Sequence, residues 1–268
     1  MLLSASLSFT RMKNTIVKKL NEIEKRENVQ IFYACESGSR AWGFPSKDSD
    51  YDIRFLYVRP KGWYLSIDEK RDVIERPIND QLDFSGWDIK KALTLFRKSN
   101  PPLLEWLSSP IVYLKKYTIA NQLKKLMPDF YSPISCLHHY LHMAQGNAKD
   151  YLKSSRVKWK KYFYVLRPIL ACKWIEQDSG VVPMEFDILL DRLVKQGALR
   201  KAIDELLKKK LAGEEMDEGP RIAAIHSFVE SELKRLDGKF SAKKPRKPDI
   251  ESLNKLFRAS LDEVWGKR

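Results

Sequence analysis

Gly38-Ser39-Arg40-Ala41-Trp42-Gly43 runs through Phe44-Pro45-Ser46-Lys47-Asp48 into Ser49-Asp50-Tyr51-Asp52-Ile53-Arg54-Phe55-Leu56-Tyr57-Val58. The segment from Asp50 to Val58 is aromatic and apolar enough to form a strand. Side chains two apart on a strand share a face, so Asp50 and Asp52 project together while Tyr51, Ile53 and Phe55 pack on the other side. Two carboxylates held so close need a positive partner. A divalent cation is one, since magnesium is commonly held by one or two carboxylates plus substrate phosphates. Arg54 shares the aspartate face, where it either touches phosphate or pairs with an aspartate. Upstream, Gly38-Ser39 opens a turn into a short helix. Its exposed N–H groups and the Ser39 hydroxyl can accept a phosphate, and Gly38 lets the backbone approach closely. Arg40 is either a further phosphate contact or a solvated surface residue.

Outward from this segment, Met12, Ile16, Leu20 and Ile23 recur at helical spacing, predicting an amphipathic helix over 10–26. Val29 to Cys35 reads as a strand. Asn79-Asp80 signals a turn, and Gln81 to Ser85 a short third strand. Gly86 then introduces a helix with Ile89, Leu93 and Phe96 on its apolar face, stopping before Asn100-Pro101-Pro102. Beyond Lys115 helical patterns dominate. Ser132-Pro133 starts one helix, Lys158 to Ile175 forms a long one, and Gly197 ends a third. Residues 239–247 read as a basic linker to a last helix from Asp249. The expectation is an α+β protein: a small mixed-sheet domain over 1–115, then a mainly helical domain over 116–268 with a basic linker and tail.

A chain of 268 residues is long enough to bury a sizeable core. No apolar run approaches the ~20 residues that span a bilayer, and the opening MLLSASLSF lacks the basic start of a signal peptide. Cys35, Cys136 and Cys172 are scattered without CxxC spacing, as expected of buried thiols in a reducing cytoplasm rather than of a zinc site. The formal net charge is +14 and the pI near 9.5, so the field of the protein favours a polyanionic partner such as nucleic acid.

A Gly-Ser turn followed about ten residues later by Asp-x-Asp on a strand resembles the signature of the DNA polymerase beta superfamily of nucleotidyltransferases. The fuller string GSRAWGFPSKDSDYDIRFLYV is similar to the RNA-repair-pathway polymerase beta family, the YcgL type. The similarity continues through GWDIKKAL, KSNPPLLEWLSSPIVY and KKYFYVLRPILACKWIE, to about Glu185. The resemblance implies a polymerase-beta-like nucleotidyltransferase domain. It further implies Mg2+ (or Mn2+) held by Asp50, Asp52 and a third carboxylate from a neighbouring strand, with a nucleoside triphosphate as donor. Asp83, between Leu82 and Phe84, is the match for that third carboxylate. Asp88 competes, although an Asp there also suits a helix cap. In the implied two-metal chemistry Asp83 serves the attacking hydroxyl, and Gly38 and Ser39 the triphosphate. The acceptor is an RNA end in this reading. The same core also serves enzymes that modify a protein or a small molecule, and a non-catalytic RNA-binding module would share the basic surface.

Three further groups invite a role. Lys90 and Lys91 open the helix after the third strand, as phosphate contacts or as a solvated face. Lys158 to Arg167 interleaves bases with aromatics, which suits stacking and charge contact with nucleic acid and equally suits a helix core of Tyr162, Phe163, Val165, Leu166 and Ile169. Lys161 and Arg167 are its candidates for phosphate. His138, His139 and His142 lie at helical spacing without an acidic or cysteine partner, favouring a packed or solvated role over a metal.

Overall fold

The structure, a computed structural model, describes residues 2–46, 48–79, 81–213, 216, 218–237 and 249–266. The N-terminal half runs α1 (Leu2–Glu27), β1 (Gln30–Ser37), α2 (Gly38–Ala41), β2 (Tyr51–Val58), α3 (Lys61–Tyr64), β3 (Val73–Asn79), β4 (Leu82–Asp88), α4 (Ile89–Arg97), α5 (Pro101–Ser108) and β5 (Val112–Lys115). The rest is α6 (Ile119–Phe130), α7 (Pro133–Tyr151), β6 (Arg156–Lys158), α8 (Lys161–Glu176), α9 (Phe186–Leu193), α10 (Ala198–Ala212), β7 (Glu218–Pro220), α11 (Ala223–Leu236) and α12 (Glu251–Trp265).

Five strands form one mixed sheet in the order β3-β4-β2-β1-β5. Only β2 and β4 run parallel, with Asp52 directly across from Asp83. Alternation sorts the residues of these strands onto two faces. Ile53, Phe55, Leu82 and Phe84 pack with Ile16, Leu20 and Ile23 of α1. Leu56 and Val58 join the larger core on the other face, together with Leu93, Leu123, Leu166 and Phe186. That core crosses residue 115, where the strand-rich half ends, and α12 returns to contact α4, α6 and β2. The protein is therefore a mixed five-stranded sheet covered on one face by α1 and on the other by a large helical assembly.

Several local readings are revised. The helix read from Thr10 begins at Leu2. Gly86 lies inside β4 rather than opening a helix, because a Cβ there would meet the Phe55 ring at 2.1 Å; a strand glycine commonly marks such close packing. Asn100-Pro101-Pro102 ends one helix and starts another, with the Asn100 side chain accepting the Leu103 N–H and Pro101 in the first turn of α5. Gly197 follows the end of α9 and is the N-cap of α10. Strand β3 and the small β6-β7 pair were not legible. The turn signal at Asn79-Asp80 and the basic linker over 239–247 involve residues outside those described. The three cysteines are free and buried. Among the described residues no helix is long and apolar enough to cross a membrane.

Candidate active site

The site lies where the parallel pair β2-β4 begins. Register places Asp52 opposite Asp83 on the same face of adjacent strands. Like charges directly across a sheet repel, and Arg54, two residues on along that face, answers the repulsion. One guanidinium nitrogen, Nη2, stands 3.2 Å from Asp52 Oδ1 and 2.8 Å from Asp83 Oδ2. The other, Nη1, makes long contacts of 3.3 Å to the carbonyls of Ile53 and Asp83. Of the two uses open to Arg54, the structure shows the ion pair. All three side chains are partly buried, between 19% and 29% exposed. Burial raises the Asp52 carboxyl above its ordinary value; Arg54 pulls it back, and Asp83 and Asp50 add to the rise.

Asp50 stands just outside β2 and is exposed, so it shares the mouth of the site rather than its floor. Arg40 fixes it there. The Arg40 Nε donates to the Asp50 carbonyl at 3.1 Å, and Nη2 to the Ser49 carbonyl at 2.7 Å. The guanidinium also stacks 3.6 Å from the Tyr51 ring centroid. Arg40 thus clamps the loop before β2 through the Ser49 and Asp50 carbonyls and the Tyr51 ring.

Gly38 is required by its neighbour. It adopts φ +64°, and a Cβ there would lie 2.1 Å from Asp52 Oδ2. The α2 turn therefore closes directly over one oxygen of Asp52, with half-buried Ser39 next in the chain. The Gly38 carbonyl accepts from Trp42 N–H and the Ser39 carbonyl from Phe44 N–H, folding the glycine loop back on itself.

Glu36, missed in the sequence, underpins this geometry. It is fully buried and lies across from Ile53 in the β1-β2 register, on the face opposite the aspartates. Its Oε1 accepts the Asp52 backbone N–H at 2.7 Å, Oε2 accepts the Tyr113 hydroxyl, and its carbonyl accepts the Ser109 hydroxyl at 2.7 Å. Burial pushes its carboxyl up to about 7, against the pull of the hydrogen bonds from the Tyr113 hydroxyl and the Asp52 N–H. The only hint was a carboxylate ending an otherwise apolar strand, beside Gly38-Ser39.

Asp88 sits at the other end of β4 as the N-cap of α4, accepting Lys90 N–H at 2.7 Å and the Tyr64 hydroxyl at 2.7 Å. Of the two rivals for a third carboxylate, Asp83 is the one beside Asp52. Lys90 and Lys91 go with Asp88 to the far end, and Lys91 pairs with Asp72 at 3.0 Å.

The helical half supplies one wall. Tyr164 is exposed, with its ring centroid 5.8 Å from that of Trp42. Partial burial, then the charge of Asp52 followed by Tyr151 and Asp50, raise its pKa. Lys161 Nζ lies 4.2 Å and 4.9 Å from the ring centroids of Tyr151 and Tyr164. Lys210, missed in the sequence, sits 5.8 Å from the Phe44 ring; burial and the charge of Lys160 lower its pKa. Arg167 departs from expectation. It is 3% exposed, pairs with Glu105 at 2.8 Å, and belongs to the core beneath the wall. Tyr162, Phe163, Val165, Leu166 and Ile169 are buried with it. His139 is half-buried, and burial lowers its pKa.

Among the described residues no three His, Cys, Asp or Glu side chains gather as a metal-binding group. Convergence is pairwise, from Asp52 and Asp83 onto one cationic nitrogen. Two facing carboxylates are the kind of oxygen donors that a divalent ion takes together with water and phosphate, but here the Arg54 guanidinium stands between them.

A family described as the RNA repair pathway DNA polymerase beta family matches residues 12–259, well past Glu185. A protein of Bacillus subtilis (strain 168), "Uncharacterized protein YcgL", is 52% identical over 255 residues, covering 95% of this chain and 98% of that one. The crystal structure of a nucleotidyltransferase-like protein from Exiguobacterium sibiricum 255-15 aligns over 95% of this chain and 90% of its own, at 13% identity and a TM-score of 0.34. On the family match and the Bacillus relative, the chain belongs to the RNA repair pathway DNA polymerase beta family.

Proposed function

We propose that the protein is a metal-dependent nucleotidyltransferase that moves a nucleoside monophosphate from a nucleoside triphosphate to a hydroxyl at an RNA end. The observation that carries this reading is the pairing of Asp52 with Asp83 across adjacent parallel strands, with the Gly38 turn closed over Asp52. Asp52 and Asp83 would hold Mg2+ or Mn2+, with Asp50 at the mouth. When bound, such an ion lowers the pKa of an attacking hydroxyl and neutralises a leaving pyrophosphate. The chain does the positioning. The α2 turn and Ser39 receive the triphosphate, and Asp83 faces the acceptor side. The acceptor hydroxyl would give up its proton on the Asp83 side, its oxygen forming the bond to the α-phosphorus as the bond to the departing pyrophosphate breaks.

RNA is favoured as acceptor by the charge of +14 and by Lys161 stacked on Tyr164, with the partly buried Lys210 near Phe44. Bases stack on aromatics and phosphates follow lysines. The test is incubation with each labelled triphosphate and Mg2+ or Mn2+, offering RNA, DNA, protein and small-molecule acceptors, for the wild type and Asp52→Asn. Label should enter RNA with the wild type only, while Asp52→Asn melts at or above the wild-type temperature. Label in protein or small molecules alone would move the acceptor. Equal transfer by Asp52→Asn would remove Asp52 from the site.

A further inference from the structure

The nitrogen between Asp52 and Asp83 occupies the position that an ion bridging the same oxygens would need. Magnesium holds carboxylate oxygens at ~2.1 Å, and Arg54 Nη2 stands 3.2 Å and 2.8 Å from those oxygens. Two cations cannot share that gap. The second oxygen of Asp52 offers little room either, because Oδ2 faces the Gly38 backbone. Arg54 is also loosely anchored otherwise: its contacts to the Ile53 and Asp83 carbonyls are both 3.3 Å, at the long end for N–H···O bonds. Without a positive charge there, two partly buried carboxylates would face each other across the strands, an unfavourable arrangement.

We propose that Arg54 is a built-in counter-ion that holds Asp52 and Asp83 together before a divalent cation arrives and must leave them for it to bind, so that ion entry and Arg54 release are one exchange. The site is preformed but weak for metal by itself, and anything that draws the guanidinium away strengthens it. A triphosphate is suited to do so, because it offers the planar fork an anion and the ion further oxygen ligands. Metal and nucleotide therefore bind with positive cooperativity that depends on Arg54. This rests on the proposed metal site at Asp52 and Asp83.

The test is calorimetric titration of the full chain with Mn2+, with and without a non-hydrolysable triphosphate, for the wild type, Arg54→Gln, Arg54→Lys and Asp52→Asn, alongside thermal melts. Removing a resident arginine should tighten Mn2+ binding by about tenfold or more, the lower end of the shift an adjacent arginine imposes on an aspartate. Ion-free Arg54→Gln should melt below the wild type and gain more on adding Mn2+, and triphosphate should tighten its Mn2+ binding by a smaller factor than it does in the wild type. Arg54→Lys, which keeps a charge without the fork, should move the same way by less and serves if Arg54→Gln folds poorly. Unchanged or weaker Mn2+ binding in the arginine variants overturns the exchange while leaving the metal site standing. Failure of every form to bind Mn2+, or binding by Asp52→Asn equal to the wild type, overturns the metal site and the exchange with it.

Discussion

The Glu36 carboxylate accepts the backbone N–H of Asp52 at 2.7 Å from the opposite face of the sheet. It fixes the peptide that carries Asp52, and Tyr113 and Ser109 fix Glu36 in turn. Glu36→Leu should therefore misplace Asp52 and leave the Tyr113 hydroxyl buried without its acceptor, a loss of about 1–3 kcal/mol. Glu36→Gln, which keeps a carbonyl oxygen for the Asp52 N–H, should retain most stability. Steady-state kinetics on both should show a fall in kcat larger than any rise in KM for the triphosphate, since Glu36 positions a site residue without touching substrate.

Gly38→Ala tests the closure over Asp52. The new Cβ would sit 2.1 Å from Asp52 Oδ2 at a backbone φ of +64°, so the turn, the carboxylate or both must move. The left-handed backbone alone costs a non-glycine residue about 1–2 kcal/mol. Transfer activity should drop at least as far as in Asp52→Asn, with a melting temperature a few degrees lower. An active, fully stable Gly38→Ala would show that the α2 turn does not govern the site.

Asp88 predicts a pH dependence of stability away from the site. Burial pushes its carboxyl up to about 6, against the hydrogen bonds from Tyr64 and Lys90. An unfolded aspartate has a pKa of about 3.9. Between these values the folded state keeps a proton that the unfolded chain has lost, so this contribution is full below about 4 and is lost as pH rises through about 6. Asp88→Asn keeps an oxygen acceptor for the Lys90 N–H, and so a good N-cap, while its amide NH2 takes the place of the oxygen that faces the Tyr64 hydroxyl and can donate to it. Its melting temperature relative to wild type should therefore rise as pH goes from 4 to 7 on the scale of that titration. A constant difference over this range would show that Asp88 does not titrate there.

What was legible in the sequence follows from periodicity and from steric need. Asp52 and Arg54 could be set on one face because strand alternation is strict, Asp83 was reached only through the family resemblance, and Gly38 announced a backbone that only glycine takes without strain. Strand β3 escaped because it is an edge strand carrying Pro77 and charges, a pattern edges tolerate and sequence reading takes for loop. Glu36 and Arg167 escaped for a common reason. A single charge in an apolar run reads as an excursion to solvent, but each has buried partners supplied by distant segments: Tyr113 and Ser109 for Glu36, Glu105 for Arg167. Helix α8 is buried on nearly all sides, and a helix apolar all round lies inside the fold, so its lone arginine had to find a carboxylate there.

The same contrast separates structure from substrate contact within one helix. Arg167 and Glu105 form a buried pair, and Arg167→Ala would strand the carboxylate at a cost of about 3–5 kcal/mol. Lys161 rests on exposed Tyr164 and on Tyr151, where truncation leaves nothing buried and unpaired. Lys161→Ala and Lys210→Ala should therefore fold like the wild type but bind single-stranded RNA more weakly. They should also flatten the dependence of affinity on salt, because each lost phosphate contact removes about one released counterion from the slope. Arg167→Ala should lower the melting temperature without changing that slope in the fraction that remains folded. Labelled RNA titrated at several salt concentrations against the three variants distinguishes these effects. Affinity indifferent to salt and to both lysines would count against RNA, and leave a protein or small molecule as the acceptor.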